Sequence, residues 1–235
     1  MLVSEVTGDV PKIIGNEECL YEGDLAKYFR VLFFKSNNLY NPYHNFRHML
    51  HVLWLCHKAC RYYQSRLAPR QMRNLLITAL FHDFDHPGHP HPGVDDPDRI
   101  NIEIALAGLR QYIMPADRAF HLRQYIMPAD RAFLLDIEAL IRATQYPYKI
   151  GSEKLDLLGK IIRDADLAQA LSPVWIQQVV IGLAQEWGVT PLEALRRQVP
   201  FLVGLRFSTE WAGELFPPEL VQAKIEEAEQ LLRLL

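Results

Sequence analysis

The stretch that most constrains this chain runs from Leu75 to Gly88. An apolar run from Leu75 to Phe81 leads straight into His82-Asp83. His86 follows one turn later, and Pro87-Gly88 ends the helix. A buried helix end that carries His-Asp is costly unless something uses the charge. A divalent metal would use it, so the remaining ligands must come from elsewhere in the chain.

Apolar residues recur at helical spacing almost throughout. The pattern predicts helices over 25–35, 44–64, 69–82, 99–112, 129–144, 155–171, 173–187, 191–216 and 218–235. Ser172-Pro173 and Thr190-Pro191 read as N-caps followed by Pro at the first helical position. No stretch alternates with period two for long enough to demand a sheet. The expectation is an all-α, compact multi-helix bundle forming one domain over 1–235, with its core in 22–235 and residues 1–21 as an extension. At 235 residues and 49% hydrophobic content the chain can bury one large core.

A net charge of −3 argues against a nucleic-acid footprint or a basic membrane-binding face. Cys19, Cys56 and Cys60 are too few for a disulfide framework, and fit reduced thiols of a cytoplasmic protein. Met1 to Asp9 has no basic residue, unlike a signal peptide, and no apolar run is long enough to span a bilayer. Neither nucleic acid nor a membrane is expected as a partner, and the oligomeric state is left open.

The segment LRQYIMPADRAF occurs at 109–120 and again, letter for letter, at 122–133. In one continuous helix a copy offset by thirteen residues would rotate everything downstream by about 220°, at roughly 100° per residue. Pro115 and Pro128 favour a break in each copy. The second copy is therefore expected to lead into the core helix ending near Ala143, with the extra copy looped out or forming a short surface helix. The loop from Gly88 to Asp98 holds His89 and His91, which read as solvated histidines at the mouth of the site.

His44 and His48, four apart in Tyr43-His44-Asn45-Phe46-Arg47-His48, would share a helix face, and His51 extends the stripe. The last ligand should be an acid on a later helix, and Asp164-Ala165-Asp166 is the best candidate; only one of the two acids need be a ligand. Cys56 and Cys60 read as buried thiols.

The patterns Y-H-N-x-x-H, H-D-x-D-H-P-G and A-D-L resemble the catalytic domain of class I cyclic-nucleotide phosphodiesterases, within the His-Asp (HD) phosphohydrolase superfamily. The similarity runs from about Tyr40 to the C-terminal helix. It implies that His48, His82, Asp83 and Asp166 ligate a first metal (Zn, Mn, Fe, Co or Ni). Asp83 would bridge to a second, water-rich ion (Mg or Mn) near His86. It implies that Glu103 and Thr144 hold water next to the metals, with Gln145 departing from the family's acid. His44 would be the general acid and Tyr43 would line the substrate site. Gln198 and Phe201 would clamp a purine, although Pro200 departs from the pattern. Gln169 stands where the family has Asn.

The resemblance implies a small-molecule phosphate ester, a nucleotide, as partner, and hydrolysis of a 3′,5′-cyclic nucleotide to the 5′-monophosphate as the reaction. The rival readings are an HD-type phosphatase acting on nucleotide monoesters or another phosphate compound, and a non-catalytic nucleotide or metal sensor.

Overall fold

The computed structural model describes residues 3–89, 93, 95–113 and 128–234. Helix α3 (Phe46–Tyr62) is the axis of the bundle, because residues all round it are buried: Met49, Val52, Leu53, Trp54, Leu55, Cys56, Ala59 and Cys60. A helix apolar on every side needs neighbours on every side. They are α1 (Val3–Gly15), α4 (Pro69–Phe81), α7 (Leu157–Leu167) and α10 (Glu210–Leu215). Helix α4 is buried without interruption from Asn74 to Phe81, as its apolar run requires. Around this centre lie α2 (Ala26–Lys35), α5 (Pro97–Ile113), α6 (Pro128–Ala143), α8 (Ile181–Trp187), α9 (Pro191–Gly204) and α11 (Pro218–Leu234). Among the described residues there is no strand, and no single helix is long and apolar enough to cross a membrane. The all-α expectation holds.

Four local expectations need correction. The N-terminal residues are not an appendage: α1 sends Val10 and Ile13 into the core, and Trp54 Nε1 donates to Asp9 Oδ2 at 3.2 Å. Second, the expected helix 191–216 is two helices. The chain breaks after Gly204 because the buried Asp164 collects the backbone N–H groups of Ser208 and Thr209 and the Thr209 hydroxyl at 2.7–3.1 Å. The same Thr209 hydroxyl accepts from Ala212 N at 3.2 Å and so starts α10.

Third, Ser172 does not cap. Its hydroxyl is buried without a hydrogen bond, and the chain enters α8 through a wide π turn over Ile176–Val180. Thr190 does cap α9, through a reciprocal pair with Glu193. Fourth, α7 tightens into a 3₁₀ turn over Ala168–Leu171. Pro200 lies inside α9, which continues to Gly204.

The first copy of the repeat closes α5, and the second opens α6 at Pro128. The second copy therefore leads into the core helix, as expected, with Ile137, Leu140 and Ile141 buried. Whether the rest loops out concerns 114–127, outside the described residues; His91 also lies outside them.

Candidate metal centre

Three helix ends converge to build the site. Asn45 caps α3, accepting from Arg47 N at 2.8 Å and His48 N at 3.3 Å, so His48 sits in the first turn. His82 follows the last residue of α4, with Asp83 in the turn beyond it. Asp166 is the penultimate residue of α7.

His48, His82, Asp83 and Asp166 each offer one ligand atom, all within 4.8 Å of one another. The His48 and His82 Nε2 atoms are 3.2 Å apart. Asp83 Oδ2 is 3.2 Å from each, and Asp166 Oδ1 is 3.1 and 3.4 Å from them. Ligands of one transition-metal ion stand about 3.0–3.5 Å apart when each is at its usual bond length. The imidazoles are buried, while the Asp83 and Asp166 side chains are 16% and 20% exposed, so the cluster opens on its carboxylate side.

The proton pattern also fits a cation. His48 Nδ1 faces Gln169 Oε1 at 2.8 Å and His82 Nδ1 faces the Ala79 carbonyl at 3.0 Å. Both partners accept, so each imidazole carries its proton on Nδ1 and turns the Nε2 lone pair inward. Asp83 Oδ2 has no well-formed hydrogen bond of its own. Two lone pairs and two carboxylates aimed at one point need a positive charge there.

Without a metal, protons meet the same field. Burial works against charging His48, but the neighbouring Asp166 and Asp83 carboxylates outweigh it and raise the group from 6.5 to about 9. Asp166, though buried, is held down to about 2 by His48 and His82. A raised histidine stabilises the fold fully below its unfolded value and loses that contribution as pH climbs through its folded value. Metal-stripped protein is therefore expected to lose denaturation midpoint between about pH 6.5 and 9. Metal uptake in that range should release protons and tighten as pH rises, which calorimetry in buffers of different ionisation heat would read. A pH-independent affinity would contradict the ligand assignment.

Beside the cluster stands a second group, His44, His86 and Glu186. Glu186 Oε1 accepts from the backbone N–H of Tyr43 and of His44, both at 2.8 Å, and Oε2 meets His44 Nδ1 at 2.6 Å. Burial disfavours a charged His44, yet Asp83 and Glu186 prevail and raise its pKa. His86 stacks on His44 with ring centroids 3.8 Å apart. Its Nδ1 accepts from Gly88 N at 3.1 Å, and its Nε2 meets the Asn101 amide at 2.9 Å. Burial and the neighbouring His44 push His86 down to about 3, so it stays neutral. These donor sets could hold an ion, but both His86 nitrogens and His44 Nδ1 are already bonded. Within the trio, Asp83 and Glu186 favour charge on His44, while His86 is held neutral.

Several expectations change at this level. His44 is not on a helix face with His48: the Asn45 cap puts it in the turn before α3, with ring centroids 6.0 Å apart. His51 is buried with Nε2 unpartnered and stands apart from the four ligands. Glu103 is not beside the four-residue cluster. Two residues round α5 from Asn101 is about 200°, so Asn101 faces His86 while Glu103 points outward to Arg142 at 2.7 Å.

Of the two acids on α7, Asp166 faces the cluster and Asp164 anchors α10. Thr144 is buried, its hydroxyl donating to the Ile141 carbonyl. Tyr43 lies against both His44 and His48, at 4.6 and 5.0 Å between ring centroids. Gln198 and Phe201 lie on α9; Gln198 is buried, and Phe201 is half-buried with its ring against Tyr146. His89 is exposed, and Cys56 and Cys60 are buried free thiols.

Sequence reasoning missed Glu186 and Asn38. Glu186 can reach His44 because Gly182, one turn earlier, lets α8 press on Pro42: a Cβ there would stand 2.8 Å from the Pro42 carbonyl oxygen. Asn38 is 1% exposed, and its Nδ2 donates to the His44 and Asp83 carbonyls, each at 2.8 Å. Its Oδ1 accepts from Asp85 N at 3.2 Å. One amide thus fixes the turn bearing His44 to the turn bearing Asp83. Asn38→Ala should cost about 2–4 kcal/mol in a denaturant melt, because buried backbone groups lose their partner. It should also lower turnover while metal stoichiometry is kept. Unchanged stability would contradict the bridging role.

No protein-family model matches this sequence, and a search of the curated proteins finds no match.

Proposed function

We propose that the protein is a divalent-metal-dependent phosphohydrolase of the HD type, and that its favoured reaction is hydrolysis of a 3′,5′-cyclic nucleotide to the 5′-monophosphate. The motif resemblance motivates this reading. The observation that carries it is the His44 imidazole, bonded to Glu186 at 2.6 Å, standing next to a four-residue cluster that can hold a metal ion. A metal site alone would serve binding or storage; an imidazole at its edge, whose pKa Asp83 and Glu186 raise against the effect of burial, adds the means to protonate a leaving group.

His48, His82, Asp83 and Asp166 would hold the first ion, and Asp83 would be shared with a second, Mg or Mn. When bound, the metal supplies Lewis acidity at the phosphoryl group and acidifies water. The chain does the rest. His44 Nδ1 is tied to Glu186, so Nε2 carries the transferable proton to the departing oxygen. The Glu186 carboxylate stabilises the charged ring until transfer, and neutral His86 stacks on it without competing for the proton. Burial and the surrounding carboxylates keep the Tyr43 hydroxyl protonated, so it can donate to a substrate oxygen. The Gln198 amide makes no hydrogen bond to a described residue, which suits an amide kept for a base edge, with Phe201 one turn on to stack.

The test is turnover of cyclic AMP, cyclic GMP and a series of aryl phosphates by metal-stripped protein given Mn or Mg. Rapid cyclic-nucleotide hydrolysis is the expected result. Activity on monoesters alone would move the substrate to a nucleotide monoester or related compound, and binding without turnover would make the protein a sensor.

A further inference from the structure

Helix α2 reads A-K-Y-F-R-V-L-F-F-K. Tyr28 and Leu32 face the core, which leaves the outer face to Lys27, Arg30, Phe33, Phe34 and Lys35. An ordinary surface helix would carry acids or amides there; α2 contains neither. Phe34 is 73% exposed and Phe33 48%. The two rings meet edge to face at 5.5 Å, and Phe33 also contacts Phe29 at 6.2 Å and Phe46 at 5.6 Å. Phe29 and Phe46 are 5.7 Å apart, so four rings form one continuous patch across α2 and the start of α3.

Basic residues accompany the patch. Lys27, Arg30 and Lys35 on α2 and Arg47 beside Phe46 are all exposed, and none forms an ion pair with a described residue. The acids nearest in sequence are Glu22 and Asp24, before the helix; Asp24 caps Ala26 N at 2.8 Å, and neither acid forms an ion pair with a described residue. Asp85 accepts from Asn37 N at 2.7 Å and forms no ion pair with a described residue. A chain with net charge −3 has gathered four unpaired cations around its exposed phenylalanines. This local concentration was hidden in the overall charge balance.

The chemistry distinguishes the possible occupants. A second copy packed by two-fold symmetry would set the same cations against themselves. A specific acidic protein would be matched by directional polar groups, but the outer face of α2 offers only flexible cations and protruding rings. An anionic bilayer suits both: the rings enter the boundary between headgroup and acyl chain, and the long basic side chains reach the phosphates. We propose that α2 and the start of α3 form a docking surface for an anionic phospholipid membrane. Tyr43 and His44 lie on the segment joining these helices, so docking would hold the candidate site close to the bilayer.

Cosedimentation of the full chain with phosphatidylcholine vesicles, with and without phosphatidylserine, tests this. The protein should pellet only with phosphatidylserine present and return to the supernatant at molar salt. Arg30→Gln with Lys35→Gln should weaken binding about thirty-fold at low salt, at about one kcal/mol for each basic residue near the surface. Phe33→Ser with Phe34→Ser should abolish pelleting while circular dichroism stays unchanged; if that variant misfolds, the charge variant decides. No binding to phosphatidylserine vesicles, equal binding to both vesicle types, or full binding by the charge variant would overturn the proposal. So would a dimer that dissociates in the phenylalanine variant, which would assign the patch to a second copy.

Discussion

Asp166→Ala is expected to lose bound metal and turnover together, with turnover falling about a thousand-fold or more, the several kcal/mol that a metal contributes to charge stabilisation. The variant should still fold. Asp166 lies near the end of α7, is 20% exposed, and spends its carboxylate on His48 and His82 rather than on backbone. Asp164, two residues earlier, provides the control. It is 1% exposed and accepts from Ser208 and Thr209. Asp164→Ala should therefore cost about 2–4 kcal/mol of stability, because several buried donors lose their acceptor. It should leave the metal stoichiometry of the folded fraction intact. Elemental analysis and a denaturant melt on both variants would separate ligand from structural acid. Loss of metal in the Asp164 variant with retention in the Asp166 variant would reverse the assignment.

His44→Ala should keep its metal and lose turnover according to the leaving group. General acid catalysis contributes about 10²–10⁴-fold, so hydrolysis of an ester with a poorly acidic leaving alcohol should fall within that range. A nitrophenyl ester needs little protonation of its leaving oxygen and should fall far less. Glu186→Gln should follow the same pattern more weakly. It keeps an acceptor for the Tyr43 and His44 N–H groups but removes the charge that helps to raise the His44 pKa. The acidic proton of His44 would then be lost at lower pH, and the alkaline limb of the rate profile should move down. Equal losses on both ester types would argue against the acid role.

The parts of the site that could be read in the sequence are those set by local pattern. The apolar run before His82-Asp83 led to a helix buried from Asn74 to Phe81 and to a His-Asp pair that joins the cluster. His48 came from the motif it shares with the resembled family, since the helix face expected with His44 does not form, and the acid pair on α7 held one true neighbour of the cluster. The features hidden from the sequence depend on distant contacts. Glu186 is 142 residues from His44, and no local signature marks a glutamate that will meet an imidazole across the bundle. Asn38 in Ser36-Asn37-Asn38 looks like an ordinary polar turn; only the fold shows it bonded to carbonyls on two separate turns.

Glu103 shows the opposite failure. Motif alignment selected the residue, but the register of α5 turned Asn101 inward instead. The break between α9 and α10 was likewise invisible to periodicity, because Asp164, a residue outside the segment, imposes it. The N-terminal helix was missed because Gly8 and Pro11 read as breakers inside its apolar pattern, yet Val10 and Ile13 are buried in the core.

Anomalous diffraction from crystals grown with Mn would test the central claim most directly. The expected result is an ion peak bonded to the Nε2 atoms of His48 and His82 and to carboxylate oxygens of Asp83 and Asp166. A well-ordered map with Mn elsewhere, or with these four side chains bonded only to one another at saturating Mn, would contradict it.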